Sequence, residues 1–181
     1  STVWGDDARF VKTYFSNFNQ QVYSSFDWAR RDTDGYYFIL GRADDVSNVA
    51  GHRLGTREIE EALSSNPLVA EPAVVGVADE LKGQVVAAFV VLKDPAAAAD
   101  SASQQAAQQA LMATVDQQLG AIARPARVLF VTALPKTRSG KLLRRSIQAL
   151  AEGRDPGDLT TLDDPSTLEQ VQQALQRGMR T

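Results

Sequence analysis

Cysteine is missing altogether from the 181 residues, and histidine occurs once. Without cysteine neither a disulfide framework nor a thiolate zinc site can form, so the fold must stand on its core, and the cytoplasm is the expected compartment. With His52 alone, any two-histidine metal site is excluded, and a Ser/His/Asp hydrolase also lacks its Gly-x-Ser-x-Gly elbow. No stretch approaches the roughly 18 apolar residues of a spanning helix. Nor is Ser1–Asp7 a basic and apolar leader, so a soluble, unprocessed chain is expected. A basic excess is lacking too: 19 Lys and Arg against 22 Asp and Glu leave a net charge of -3. Counterion-driven binding needs the opposite balance, which argues against nucleic acid or a membrane as partner and makes any anion site local.

What is present is a core. At 44% hydrophobic the chain can bury one, and it has no internal repeats. Aromatic residues crowd into residues 1 to 31, with Phe10, Tyr14, Phe15, Phe18, Tyr23, Phe26 and Trp28, and such side chains need a covering layer that few upstream residues can supply. A severed edge is the expectation. Asp32 to Gly35 reads as a turn and Tyr36 to Leu40 as a strand; then Arg42-Ala43-Asp44-Asp45 is a charged break, where a domain boundary is placed. An extended run, Val46 to Ala50, leads into a turn, Gly51 to Gly55, and Thr56 is expected to cap a helix burying Ile59, Ala62 and Leu63. The runs 73–77 and 85–92 are almost continuously apolar, as strands covered on both faces are. Residues 94 to 103 read as a surface loop, 104 to 119 as a helix burying Ala107, Leu111, Val115 and Leu119, and 127 to 133 as a strand. Helices over 141–152, burying Leu142, Leu143, Ile147 and Leu150, and from Pro165 to Gly178 complete an α/β (α+β) fold, a small mixed sheet with flanking helices.

The stretch that carries chemistry is Pro135-Lys136-Thr137-Arg138-Ser139-Gly140-Lys141, with Arg144 and Arg145 just beyond. Gly140-Lys141 is not a P-loop, because that motif needs glycine at 135 and Ser or Thr at 142, where Pro and Leu stand. A lysine beside a glycine is most simply solvated. The spacing equally suits a turn that brings a cation to a phosphate or carboxylate beside the free N–H groups of a helix start. Two cations on a first helical turn oppose the dipole, so something anionic is expected to offset them, unless the cluster is a solvated basic face. Asp44 and Asp45 point to opposite faces of an extended chain, and with no further ligands in spacing no metal site is expected.

Three linked motifs, residues 34–45, 48–60 and 135–141, together resemble the carboxyl-terminal part of an acyl-CoA synthetase of the acetyl/propionyl type, in the adenylate-forming superfamily. Phe26-Asp27-Trp28 and the tail 152–159 lean towards its propionate–CoA ligase branch over the acetate-activating one. The resemblance implies a β-rich end of a large amino-terminal domain over residues 1–43 and a mobile lid domain over 44–181, hence a fragment inactive by itself. It further implies that a short-chain carboxylate such as propionate and ATP, brought with Mg, give an acyl-adenylate, from which coenzyme A takes the acyl group. By the same likeness Lys141 is the adenylation lysine, Asp27 and Arg42 hold the ribose hydroxyls, and Arg53 meets the nucleotide phosphate. Asp44 is the hinge, and Ala50 and Gly51 line the coenzyme A tunnel. Asp116 stands where acetyl-type relatives present a basic residue to the coenzyme A phosphates. The implied partners are the chain's own amino-terminal domain and a protein acetyltransferase and deacetylase acting on Lys141.

Overall fold

Asp6 opens the first element. In the computed structural model, which describes residues 4–19, 21–42, 46–49, 52–79 and 83–178, its carboxylate accepts the Arg9 N–H at 2.9 Å at the start of α1 (Asp7–Tyr14). A short 3-10 turn, Ser16–Phe18, follows, and then an antiparallel hairpin of β1 (Asp27–Arg31) and β2 (Tyr37–Arg42). The Asp32 carboxylate accepts the N–H groups of Asp34 and Tyr36 at 3.0 and 2.9 Å, which makes 32–36 the expected turn. β1 is an element that the mixed sequence of 1–31 did not announce. Around α1 the aromatic residues pack on one another: Tyr14 stacks on Tyr23 at 5.0 Å between ring centroids, and Phe10 touches Tyr14, Phe15 and Tyr23. Yet Tyr37, Phe38 and Ile39 are more than half exposed, and none of the residues of this unit, Ser1–Asp44, whose exposure is described is fully buried.

The second unit, Asp45–Thr181, has a core on each side of one sheet. A hairpin of β3 (Val46–Val49) and β4 (His52–Gly55) precedes α2 (Thr56–Ser64), and the largest sheet follows with β5 (Val69–Asp79), β6 (Gly83–Leu92) and β7 (Arg127–Phe130) in the order β5–β6–β7. β5 and β6 run antiparallel, β6 and β7 parallel; α3 (Ser101–Leu119) makes the crossover, and α4 (Arg144–Ala151) and α5 (Ser166–Gly178) complete the chain. Beyond a bulge between Val69 and Glu71, side chains alternate between the two cores. Val74, Val86, Ala88, Val90 and Val128 pack with Ile59 and Leu63 of α2 and Leu111 and Val115 of α3. Ala73, Val75, Ala87, Phe89 and Leu129 pack with Ile147 of α4 and Val171 and Leu175 of α5. Apolar residues at both parities of a strand are stable only with a layer on each face, which is the mixed sheet with flanking helices that the runs predict.

Several boundaries differ from the sequence reading, each for a local reason. β5 begins at Val69, before the expected 73, and takes in Pro72 because β5 is the sheet's edge and an edge strand tolerates a residue without an N–H. His52–Gly55 is a strand paired with β3, Ser47 opposite Leu54 and Asn48 opposite Arg53, and not a turn. Thr56 is the first helical residue, with Gly55 in the cap position. β7 stops at Phe130, since its pairing ends where Phe130 meets Val90, near the end of β6. Part of the expected loop 94–103 is helical: Asp100 accepts the Ser103 N–H at 2.8 Å while the Ser103 hydroxyl accepts the Asp100 N–H at 3.1 Å, a capping box that starts α3 at Ser101. Of the residues expected on the buried side of the penultimate helix, Ile147 is buried, and Leu142, Leu143 and Leu150 only partly.

These carboxylates predict an acid response. The Ser103 N–H holds the Asp100 carboxyl below its ordinary 3.8. For Glu152 burial alone would raise the carboxyl, but Arg154, Gln148 and the Ala78 N–H together keep it below 4.5. Groups depressed in the fold stabilise it above their unfolded values and lose that contribution as pH falls through the folded ones. The thermal midpoint is therefore expected to fall on acidification below 4.5. Asp100→Asn, which caps but cannot titrate, should flatten part of that slope in pH-dependent melting curves; an unchanged slope would remove Asp100 from the account.

Candidate functional site

Leu134 and Pro135 are buried, and the chain that leaves the core there returns to it at Leu142 and Leu143. Main-chain bonds close the excursion. Leu143 N–H donates to Pro135 O at 2.9 Å, Thr137 N–H to Lys141 O at 2.8 Å, and Gly140 N–H to Thr137 O at 2.8 Å. The Thr137 hydroxyl accepts the Lys141 N–H at 3.1 Å and lies 2.9 Å from the Ser139 hydroxyl. On its other flank the same stretch pairs with the tail: Arg138 N–H donates to Thr161 O at 3.1 Å, and Asp163 N–H to Lys136 O at 2.9 Å. Lys136 to Arg138 is thus the middle of a miniature sheet, bridged to Leu142 on one side and Leu162 on the other. A turn with its backbone bonded on both flanks presents its tip in a fixed place.

That tip is Arg138 to Lys141, all exposed. Gly140 has φ +81°, which explains the glycine as a backbone requirement; a Cβ there would meet nothing within 4 Å, so close approach is not the reason. Lys141 does not stand on a first helical turn, as the pattern suggested. α4 starts at Arg144 with Leu143 in the cap position, because the Lys141 N–H and C=O are spent within the turn. The basic cluster also divides. Lys136 Nζ lies 2.6 Å from Glu71 Oε1, and Arg144 is held by Glu60, so neither belongs to a purely solvated face. Among the described residues the side chains of Arg138 and Lys141 have no ion pair or hydrogen bond.

The anion that offsets Arg144 was missed in the sequence. Glu60 is 9% exposed. The signal was there: Thr56, Glu60 and Leu63 share one buried face of α2 at helical spacing, so a carboxylate falls where an apolar residue belongs.

The other candidates fall in several places. Asp27 is exposed at the start of β1, and the hairpin register sets it directly opposite Arg42. Arg53 lies in β4 opposite Asn48. Asp44, Ala50 and Gly51 lie outside the described residues. Asp116 is engaged by Arg124, whose Nε donates to it at 2.9 Å and whose hydrogen bond holds its carboxyl below the ordinary range. Among the described residues no three His, Cys, Asp or Glu side chains converge as metal ligands, and no helix is long and apolar enough to cross a membrane.

Residues 58–141, from the first turn of α2 to Lys141 itself, match the family model described as the AMP-binding enzyme C-terminal domain. The chain thus carries, over those residues, the C-terminal domain of the AMP-binding enzymes. Over 97% of its length it is 65% identical to the propionate–CoA ligase of Salmonella typhimurium, and over 95% it is 51% identical to the acetyl-coenzyme A synthetase of Pyrobaculum aerophilum. It spans 28% and 25% of those two proteins. In fold it resembles the acetoacetyl-CoA synthetase of Streptomyces lividans, with a TM-score of 0.76 over 96% of this chain and 25% of that one, at 24% identity.

Proposed function

We propose that this chain supplies the mobile lid of a short-chain, AMP-forming acyl-CoA synthetase that acts on propionate in the cytoplasm. The observation that carries the reading is Lys141, an exposed amine without a partner among the described residues, at the tip of a turn bonded on both flanks. In the first half-reaction a carboxylate oxygen attacks the α-phosphorus of ATP, which arrives with its Mg, and pyrophosphate leaves. The bond joins two anions, so a cation held at the reacting oxygens lowers the barrier where charge builds up. In the second, the coenzyme A thiol attacks the acyl carbon and AMP leaves. In this reading Asp27 and Arg42 hold the ribose hydroxyls, a pairing that their opposed register supports, and Arg53 meets the phosphate. Asp44 is the hinge that exchanges the lysine turn for the segment at Ala50 and Gly51, which then lines the coenzyme A path. Identity to the Salmonella enzyme favours propionate, while the match to an acetyl-coenzyme A synthetase keeps an acetate-activating lid as the alternative. The exposure of Lys141 also suits a protein acetyltransferase and deacetylase, since acetylation would remove the charge that adenylation needs.

The test is a hybrid in which this chain replaces the matching 28% of the Salmonella ligase. The hybrid should make propionyl-CoA from propionate, ATP and coenzyme A, and the chain alone should not. Asp44→Pro should spare pyrophosphate release and slow thioester formation from supplied propionyl-AMP by about tenfold or more, because a hinge absorbs its rotation in a few backbone angles. A hybrid that folds but is inactive would remove the reading, and unchanged thioester rates in the variant would remove the hinge.

A further inference from the structure

Lys141 is held by main-chain bonds within the turn and by the Thr137 hydroxyl, and no side chain of its exposed tip enters the core. One end of the turn is anchored by buried Leu134 and Pro135. The other runs through partly buried Leu142 and Leu143 straight into α4, which has no side-chain N-cap. Arg144 follows Lys141 by three positions, a reach of about 10 Å, so a shift at the first turn of α4 passes directly to the lysine. Arg144 would itself be repelled by the positive end of that helix.

One carboxylate resolves both problems. Glu60 Oε1 accepts the Val74 N–H of β5 at 2.8 Å and Arg144 Nε at 3.2 Å, and Glu60 Oε2 accepts Arg144 Nη2 at 2.5 Å. Nearly buried, it ties α2, β5 and α4 together at the root of the turn. A comparable tie lies at the far end of α4, where Glu152 accepts the Ala78 N–H from the same strand at 3.3 Å and binds Arg154. That second tie shares the helix and the strand but not the turn, which makes it an internal control.

We propose that Glu60 is a positioning residue for Lys141: by holding Arg144 and the Val74 N–H at once, it fixes the start of α4 and so the place to which the turn delivers the amine. The inference rests on the adenylation role of Lys141 proposed above. A purely structural role would need only an acceptor for Val74, which glutamine supplies. Positioning needs the charge, because a neutral amide leaves Arg144 without its counter-ion at the helix start.

Glu60→Gln therefore separates the two. In the full chain, amide hydrogen exchange should speed up about tenfold at Gly140 and Leu143, with the β5–β6 ladder unchanged, as expected for a local opening. Glu152→Gln should leave the turn amides as they are. In the hybrid, Glu60→Gln should slow adenylation about 100-fold, the scale of a misplacement near 1 Å, with thioester formation from supplied propionyl-AMP within about threefold. Glu60→Gln combined with Arg144→Gln, which pairs two neutral amides, should recover adenylation about tenfold over the single variant. The proposal is overturned by unchanged exchange at the turn, by a uniform increase across the second unit, by equal losses in both half-reactions, or by a double variant as slow as the single. Should Lys141→Ala leave adenylation intact, the lysine reading fails by itself, and exchange in the chain still decides whether Glu60 holds the turn.

Discussion

Lys141→Ala in the hybrid is expected to lower the rate of propionyl-AMP formation by at least about 100- to 1,000-fold, the cost of removing one well-placed donor from a closed site, while thioester formation from supplied propionyl-AMP stays near the parent rate. The asymmetry follows from charge. Adenylation brings a carboxylate against a polyphosphate, and a cation at the junction acts only while that bond forms. The second step replaces an acyl phosphate by a thioester and, on the proposed reading, proceeds with the lysine turn rotated away. Lys141→Arg keeps the charge but replaces a compact ammonium by a planar fork, so it should recover only a small part of the rate. The thermal midpoint should be the same in all three proteins, because the side chain is exposed and has no polar partner among the described residues. Pyrophosphate release and single-turnover thioester assays measure the two steps separately. Equal loss of both would show that the lysine supports the lid as a body and not the chemistry of one step.

The two-layered sheet was legible in the sequence because burial is written in side-chain type. Val74 and Val75, or Ala88 and Phe89, are apolar at both parities, and no half-solvated strand would tolerate that. The stripe Ala107, Leu111 and Val115 places α3 in the same way. Other elements rest on pairing with distant chain, which leaves no such trace. His52–Gly55 carries two flanking glycines and reads as a turn until β3 is laid beside it. Thr161 to Asp163 has no period at all, yet its main chain supports the lysine turn through bonds to Lys136 and Arg138. At the site, Gly140-Lys141 announced a turn with a cation, whereas the root of that turn lay hidden in Glu60, a charged residue on a buried face. Its partner Arg144 is 84 residues away. Motif spacing can place Lys141, but only the fold brings Glu60 of α2 to the Val74 N–H and to Arg144 at the start of α4.

Phe89→Ala should cost about 3–5 kcal/mol of unfolding free energy, roughly a fifth or more of what a domain commonly has. Phe89 lies on β6, the central strand of the sheet, at 0% exposure. Its ring fills the layer between the sheet and the α4–α5 side, in one cluster with Ala73, Val75, Leu129, Ile147 and Val171. On β5 the residue opposite the ring is Ala73, too small to close over the space the ring leaves, so the cavity term adds to the lost transfer energy. Phe89→Leu keeps most of the volume and should cost less than about 1.5 kcal/mol. Urea titration followed by far-ultraviolet circular dichroism measures both, and a loss below about 1 kcal/mol for the alanine variant would mean that the helical layer is not seated as described. The same layer carries the start of α4. A cavity beneath it should therefore loosen the root of the Lys141 turn before the sheet melts, with faster exchange at Leu143 than at Val86, whose side chain packs in the opposite core.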